Sequence, residues 1–120
     1  MGTVTSDGIA APRLAQTRPG ADLLDELYAD MIRVLTALAD AGYAHGDLSP
    51  YNVLVADGRI VLIDLPQAVD LVGNPRGFDF LRRDCVNITG WFAAQGAAGA
   101  DADSLYQTLV RSVPGASGHG

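Results

Sequence analysis

The dipeptide Asp57-Gly58 sits inside VLVADGRIVLI, between two short runs dominated by Val, Ile and Leu. Asp-Gly supplies the positive φ angles that a two-residue hairpin turn demands, and the branched residues on both sides favour extended backbone. The stretch therefore predicts a β-hairpin, with a consequence beyond its own residues. Antiparallel pairing returns the chain on itself, so the segments flanking the two strands become neighbours. HGDLSPYN, residues 45 to 52, precedes the first strand, and Asp64 closes the second, inside IDLPQ. Asp64 is thus brought toward Asn52, with Asp47 five positions before that asparagine.

Helices are expected around this hairpin. Leu24, Leu27, Met31, Leu35 and Leu38 recur at spacings of three and four, which places them on one face of a helix from about Asp22 to Ala41. Asp22 is read as its N-cap and Gly42 as its left-handed stop. At 1.5 Å per residue such a helix runs roughly 30 Å, enough to cross a domain. A second helix is predicted from about Arg76 or Gly77 to Ala94, with Phe78, Leu81, Cys85, Ile88 and Phe92 on its apolar face. A third, from about Asp103 to Ser112, buries Leu105, Tyr106, Leu109 and Val113. The fold class is α+β, mainly helical with one hairpin. Residues 1–8 are expected to fray, 9–21 to form an extended connector rich in Pro and Gly, and 22–95 to form the core. Residues 96–113 are read as a flexible joint and terminal helix, and 114–120 as a tail.

Composition narrows the function classes. A chain of 120 residues holds one domain at most, and 48% hydrophobic against 18% charged residues describes a globular middle. The net charge of −6 argues against nucleic acid as a partner. No apolar stretch is long enough to span a bilayer, so no membrane partner is expected, and the opening does not read as a signal peptide. The lone Cys85 fits a reducing compartment, and the expected location is cytoplasmic. All eight basic residues are arginine. A mechanism that needs an ammonium group must find it elsewhere.

An Asp or Asn beside a loop is often only a turn or cap residue, and Asp47 or Asn52 alone would carry no more than that. Asp64 is less ordinary, because an unpaired carboxylate at the end of an apolar strand is costly to bury. The whole set, HGDLSPYN followed by a hairpin and a strand-terminal aspartate, resembles the catalytic and metal loops of the protein-kinase-like fold. HGDLSPYN, IDLPQAVD and FLRRDCVNI together are similar to the RIO family of atypical serine/threonine protein kinases, which typically show HGDLSEYN, an ID-x-x-Q segment and a later L-x-RD-x-x-N helix. DGIAAPRL resembles the segment leading out of that family's small lobe. The likeness covers roughly residues 7 to 95.

The resemblance implies a kinase-like large lobe in which Asp47 is the catalytic base and Asn52 and Asp64 are ligands of Mg²⁺, a hard ion that prefers oxygen donors. Ser49 stands where many kinases place a lysine beside the transferred phosphate, so it is carried over as a nucleotide contact. His45 is expected to pack beneath the loop, and Asp84 to aim its carboxylate at the loop's N–H groups. Gly46 replaces the arginine of HRD, and the short interval from Asp64 to Arg76 leaves no room for a long activation segment. ATP, Mg²⁺ and a protein substrate are the implied partners. ATP hydrolysis through a phosphorylated Asp64 also belongs to the family pattern. The chain is expected to begin at the hinge, with the small lobe separate or missing, and to turn over ATP weakly or not at all.

Other readings stand beside this one. The chain could retain the fold as a non-catalytic binding module, or be a fragment of a small-molecule phosphotransferase of the aminoglycoside-kinase type. Arg82 and Arg83 are read as solvated or ion-paired. Cys85, Trp91, Phe92 and Tyr106 are read as core packing, and His119 as part of the tail.

Overall fold

The computed structural model of the chain describes residues 12–63 and 68–114. In order, these form α1 (Ala21–Asp40), β1 (Tyr43–Ala44), β2 (Val53–Ala56), β3 (Arg59–Leu62), β4 (Val69–Asp70), α2 (Gly77–Ala94) and α3 (Ala102–Ser112). The fold is α+β, with three helices and two small antiparallel sheets. Among the described residues, no helix is long and apolar enough to cross a membrane.

The hairpin turn forms at the predicted dipeptide. Asp57 has φ of 53° and Gly58 of 75°, and β2 pairs with β3 in the register Val53↔Leu62, Leu54↔Val61, Val55↔Ile60 and Ala56↔Arg59. Alternation along the strands puts Val53, Val55, Ile60 and Leu62 on one face, which packs against α1. The second sheet joins β1 to β4, with Ala44 opposite Val69. It ties the segment before the HGD loop to the segment after Asp64.

Each helix follows its apolar period. Leu24, Leu27, Met31 and Leu35 are buried on α1, Leu81, Cys85, Ile88 and Phe92 on α2, and Leu105 and Leu109 on α3. Leu38, Phe78 and Tyr106, expected in the core, are only half-buried. Phe92 joins the helices, 5.0 Å from the Tyr28 ring of α1 and 5.0 Å edge-on from Trp91. Cys85 lies at the centre of the core, and burial pushes its thiol up to about 12. Burial favours the neutral thiol, the form that packs as a small apolar side chain.

Three local expectations differ from what is found. The N-cap of α1 is Gly20 rather than Asp22; it makes no side-chain cap bond, and Asp22 lies in the first turn, where its charge favours the helix dipole. Residues 12–20 are not a bare extended connector. Leu14 is completely buried in a 3₁₀ turn at Leu14–Gln16, Arg13 forms a bridge with Leu54, and the Val55 N–H donates to the Pro12 carbonyl at 2.9 Å. One buried leucine in a Pro- and Gly-rich stretch has no period to betray it. The start of the expected joint at Gly96 is a tight stop: Gly96 has φ of 107°, its N–H donates to the Ala93 carbonyl, and the Ala97 N–H donates to the Phe92 carbonyl. That paired pattern is a Schellman closure of α2.

Asp30 links α1 to the hairpin. Its Oδ2 accepts the Ile60 N–H at 2.7 Å, its Oδ1 accepts from Arg33 Nε at 2.8 Å, and Arg59 Nε lies 3.7 Å away. Partial burial raises this carboxyl, but the Ile60 amide and the two guanidinium groups outweigh it and hold the group below its ordinary value. A depressed folded-state value means that the ionised form stabilises the fold above the unfolded value of about 3.9, and that this stabilisation is lost as pH falls through the folded value. Asp30→Asn keeps an acceptor for Ile60 but removes the charge. It is expected to cost up to about 1 kcal/mol at pH 7. In urea melts across a pH series, the gap from wild type should close below about pH 4.

Candidate active site

Residues 45–52 run from β1 to β2 beneath the first half of α2. Gly46 has φ of 90°, a left-handed conformation that a side chain at this position would strain. Backbone polar groups in such a loop need partners if they are withdrawn from water, and here the pairing is complete. Every N–H and every carbonyl from Gly46 to Asn52 has a hydrogen-bond partner, Pro50 having no N–H to satisfy.

Much of that pairing comes from α2. Asp84, buried to 1% exposure, accepts the Gly46 N–H at 2.8 Å with Oδ2 and the Leu48 N–H at 3.0 Å with Oδ1. Asn87, one turn along the same helix face, donates through Nδ2 to the Leu48 carbonyl at 3.3 Å. Arg83 reaches the Gly46 carbonyl at 3.5 Å while its guanidinium lies 5.1 Å from the Phe80 ring centroid. Burial pushes the Asp84 carboxyl above its ordinary value; the Gly46 and Leu48 amides and the Arg83 charge only partly offset this. Arg82, on the other side of the helix, pairs with Asp103 and stacks on Tyr106.

The remaining pairing is internal or comes from the connector. Asn52 Nδ2 donates to the Asp47 carbonyl at 2.7 Å, and its Oδ1 accepts the Ser49 N–H at 2.9 Å, so the amide orientation follows from its partners. Ser49 Oγ accepts the Tyr51 N–H at 3.2 Å, and the Ser49 carbonyl accepts the Asn52 N–H. The Pro50 carbonyl accepts from Ala15 N–H at 2.9 Å, and the Tyr51 carbonyl from Arg13 Nη1.

His45 is fully buried and faces both sides of the loop. Its Nδ1 accepts the Asp47 N–H at 3.2 Å, so the ring proton sits on Nε2 and is donated to the Ile63 carbonyl at 2.7 Å. The Ile63 N–H in turn donates to the Asn52 carbonyl at 3.3 Å. Ile63 is therefore held from both peptide groups against the HGD loop. Asp64, the next residue and the predicted metal carboxylate, lies outside the described residues.

Two features remain unengaged within this closed network. The Asp47 side chain is exposed, with no hydrogen-bond or ion-pair partner among the described residues, while its own N–H and carbonyl are both fixed. Asn52 Oδ1 has accepted one hydrogen bond and keeps a second lone pair. Among the described residues there is no group of three His, Cys, Asp or Glu side chains that could hold a metal. Of the two predicted metal ligands, Asn52 is the one among the described residues, and its amide oxygen is of the kind Mg²⁺ prefers; the predicted set needs Asp64 to complete it.

Three supporting residues have roles that the sequence does not assign. Arg83 is exposed, as expected, and in addition touches the loop and Phe80. Asn87 was assigned no part, although its spacing of three from Asp84 in RRDCVN was a usable signal. Arg13 gave none, because its contact with Tyr51 spans 38 positions. Asp84→Asn would turn an NH₂ toward an N–H that now finds an acceptor. The substitution is expected to cost about 1–3 kcal/mol, and Asn87→Ala about 1 kcal/mol, measured by urea unfolding at pH 7.

The chain matches the family model described as "RIO domain" over residues 1–105. It is 53% identical over 70 residues to the RIO-type serine/threonine-protein kinase Rio1 of Haloferax volcanii, a stretch covering 58% of this chain and 23% of that protein. It is 36% identical over 90 residues to the serine/threonine-protein kinase rio1 of Dictyostelium discoideum, covering 74% and 16% respectively. With the human serine/threonine-protein kinase RIO1 it shares 30% identity over 111 residues, covering 92% of this chain and 19% of the relative. The matched stretch thus spans less than a quarter of the length of each of these relatives.

Proposed function

From the premise that this chain belongs to the RIO family of serine/threonine kinases, we propose that it contributes the catalytic and metal loops for phosphoryl transfer from Mg-ATP to a protein serine or threonine, with Asp47 as the base. The observation that carries this reading is the free Asp47 carboxylate on a backbone with no unpaired polar group. A base must be held in a fixed position, because the acceptor hydroxyl must lie within hydrogen-bond reach of it. The Asp84 and His45 bonds around Asp47 provide that fixity, and its exposure leaves the carboxylate open to an incoming hydroxyl.

The acceptor proton would move to an oxygen of Asp47 as the hydroxyl oxygen bonds to the γ-phosphorus and the bond from that phosphorus to the bridging β,γ-oxygen breaks, ADP leaving with the electron pair. Asn52 Oδ1 and the Asp64 carboxylate would hold Mg²⁺, whose charge, when bound, neutralises the oxygens of the triphosphate. The Ser49 hydroxyl, already an acceptor for the Tyr51 N–H, has its own proton free to donate to a phosphate oxygen. His45 acts at one remove, orienting Asp47 through its N–H and tying the loop to Ile63. Gly46 stands where regulated kinases carry an arginine, so position 46 itself offers no guanidinium to a phosphorylated activation segment.

The absence of lysine bears on rate. Phosphoryl transfer depends largely on positioned positive charge, and the chain has no ammonium group to place on the α- and β-phosphates. A second reading keeps the domain as a binding module. Calorimetric titration with Mg-ATP separates the two, since binding abolished by Asp64→Ala belongs to a working site. Turnover of labelled ATP by this chain is expected to be slow and to fall at least about a hundredfold in Asp47→Ala. Turnover that survives this substitution would remove Asp47 from the role of base.

A further inference from the structure

Arg76 and Arg83 stand apart from the other arginines near the loop. Arg76 is the N-cap of α2, Phe80 lies four positions on, and Arg83 seven, so the three share one helix face. The two guanidinium groups converge on one ring, Arg76 at 5.8 Å and Arg83 at 5.1 Å from the Phe80 centroid. Arg33 and Arg59 share Asp30, and Arg82 has Asp103. Among the described residues neither Arg76 nor Arg83 has a carboxylate within 4 Å, and nearby Asp79 pairs with neither. Both side chains are exposed. Arg83 feels the buried Asp84 charge, but among the described residues neither guanidinium forms an ion pair, and two like charges on one ring can take an anion from outside, with cation–π contact orienting each planar fork for it.

The position identifies which anion. Arg83 donates to the carbonyl of Gly46, the residue immediately before Asp47. We infer that Arg76 and Arg83 are a docking station for acidic residues flanking the serine or threonine that Asp47 engages. The inference rests on Asp47 being the base. An extended peptide advances about 3.3 Å per residue, so a carboxylate within a few residues of a hydroxyl held at Asp47 spans the gap. A short acidic peptide fits better than a nucleic acid. The chain carries a net charge of −6 and repels a long polyanion, whereas a local pair of forks accepts one or two carboxylates bidentately.

The test titrates the full chain with fluorescent serine peptides flanked by Glu, by Gln or by Lys, and with an oligouridine RNA, at low and high salt. The Glu peptide is expected to bind best, to weaken with salt, and to lose about tenfold in affinity with Arg76→Gln or Arg83→Gln. Arg76→Lys should recover only part of the loss, because an ammonium group lacks the planar fork. Arg76→Gln is the cleaner variant, since the Arg76 side chain makes no hydrogen bond to the loop. Equal affinity for all three peptides, indifference to both Gln substitutions, or tighter binding of the RNA would overturn the inference. A parallel Mg-ATP titration of the same protein keeps the two readings apart. Charge-selective peptide binding without nucleotide binding leaves an acidic-peptide site at Arg76 and Arg83 but overturns its link to Asp47, whereas nucleotide binding without peptide selectivity overturns the docking station and leaves the kinase reading in place.

Discussion

A buried carboxylate that accepts two backbone N–H groups from one loop holds this structure's candidate site together. Asp84 sits on the buried side of α2, with the core residues Leu81 and Ile88 one turn to either side of it, so its oxygens have little freedom to move. Gly46 and Leu48 present their amides to it, and the loop between them is thereby held at both sides of Asp47. Burying a charge is expensive unless every lone pair finds a donor nearby. The raised Asp84 carboxyl registers that cost, and the loop geometry is what the two hydrogen bonds secure in return.

Around this anchor the other contacts form a sequence of dependencies. Gly46 must turn through a positive φ for its N–H to face α2, which is why a glycine stands there. His45 then has its Nδ1 committed to Asp47, which places its proton on Nε2 and directs it at Ile63. Asn52 closes the far end by bonding across to Asp47 and Ser49. With all backbone groups from Gly46 to Asn52 paired, the loop's remaining chemistry resides in its side chains. That is the arrangement phosphoryl transfer asks for, since positioning and fixed charge supply most of its catalysis.

The elements with a period were legible. The α1, α2 and α3 stripes and the Asp-Gly turn appear within a residue or two of where the spacing puts them, because each depends on neighbours three, four or two positions away. Leu14 and Arg13 were not legible: a lone leucine between prolines shows no pattern, and the pairing of residues 12–15 with the loop and hairpin crosses about forty positions of chain. Asn87 falls between these cases. Its helical phase relative to Asp84 was on the page, but its partner, the Leu48 carbonyl, is 39 residues away.

By itself, then, the order of residues determined which segments become helix or hairpin, how polar the surface is, and which oxygen-bearing side chains are available near the turn. Those properties are local, set by backbone preference and by the period of apolar residues. Which atoms of residues 45–52 are consumed as structural partners and which are left free was decided only when α2 packed over the loop. Hydrogen-bond pairing between segments 36 to 39 positions apart depends on helix phase, crossing and depth together, and no single segment encodes those. The exposed Asp47 carboxylate and the placing of Arg83 on the Gly46 carbonyl are products of that packing.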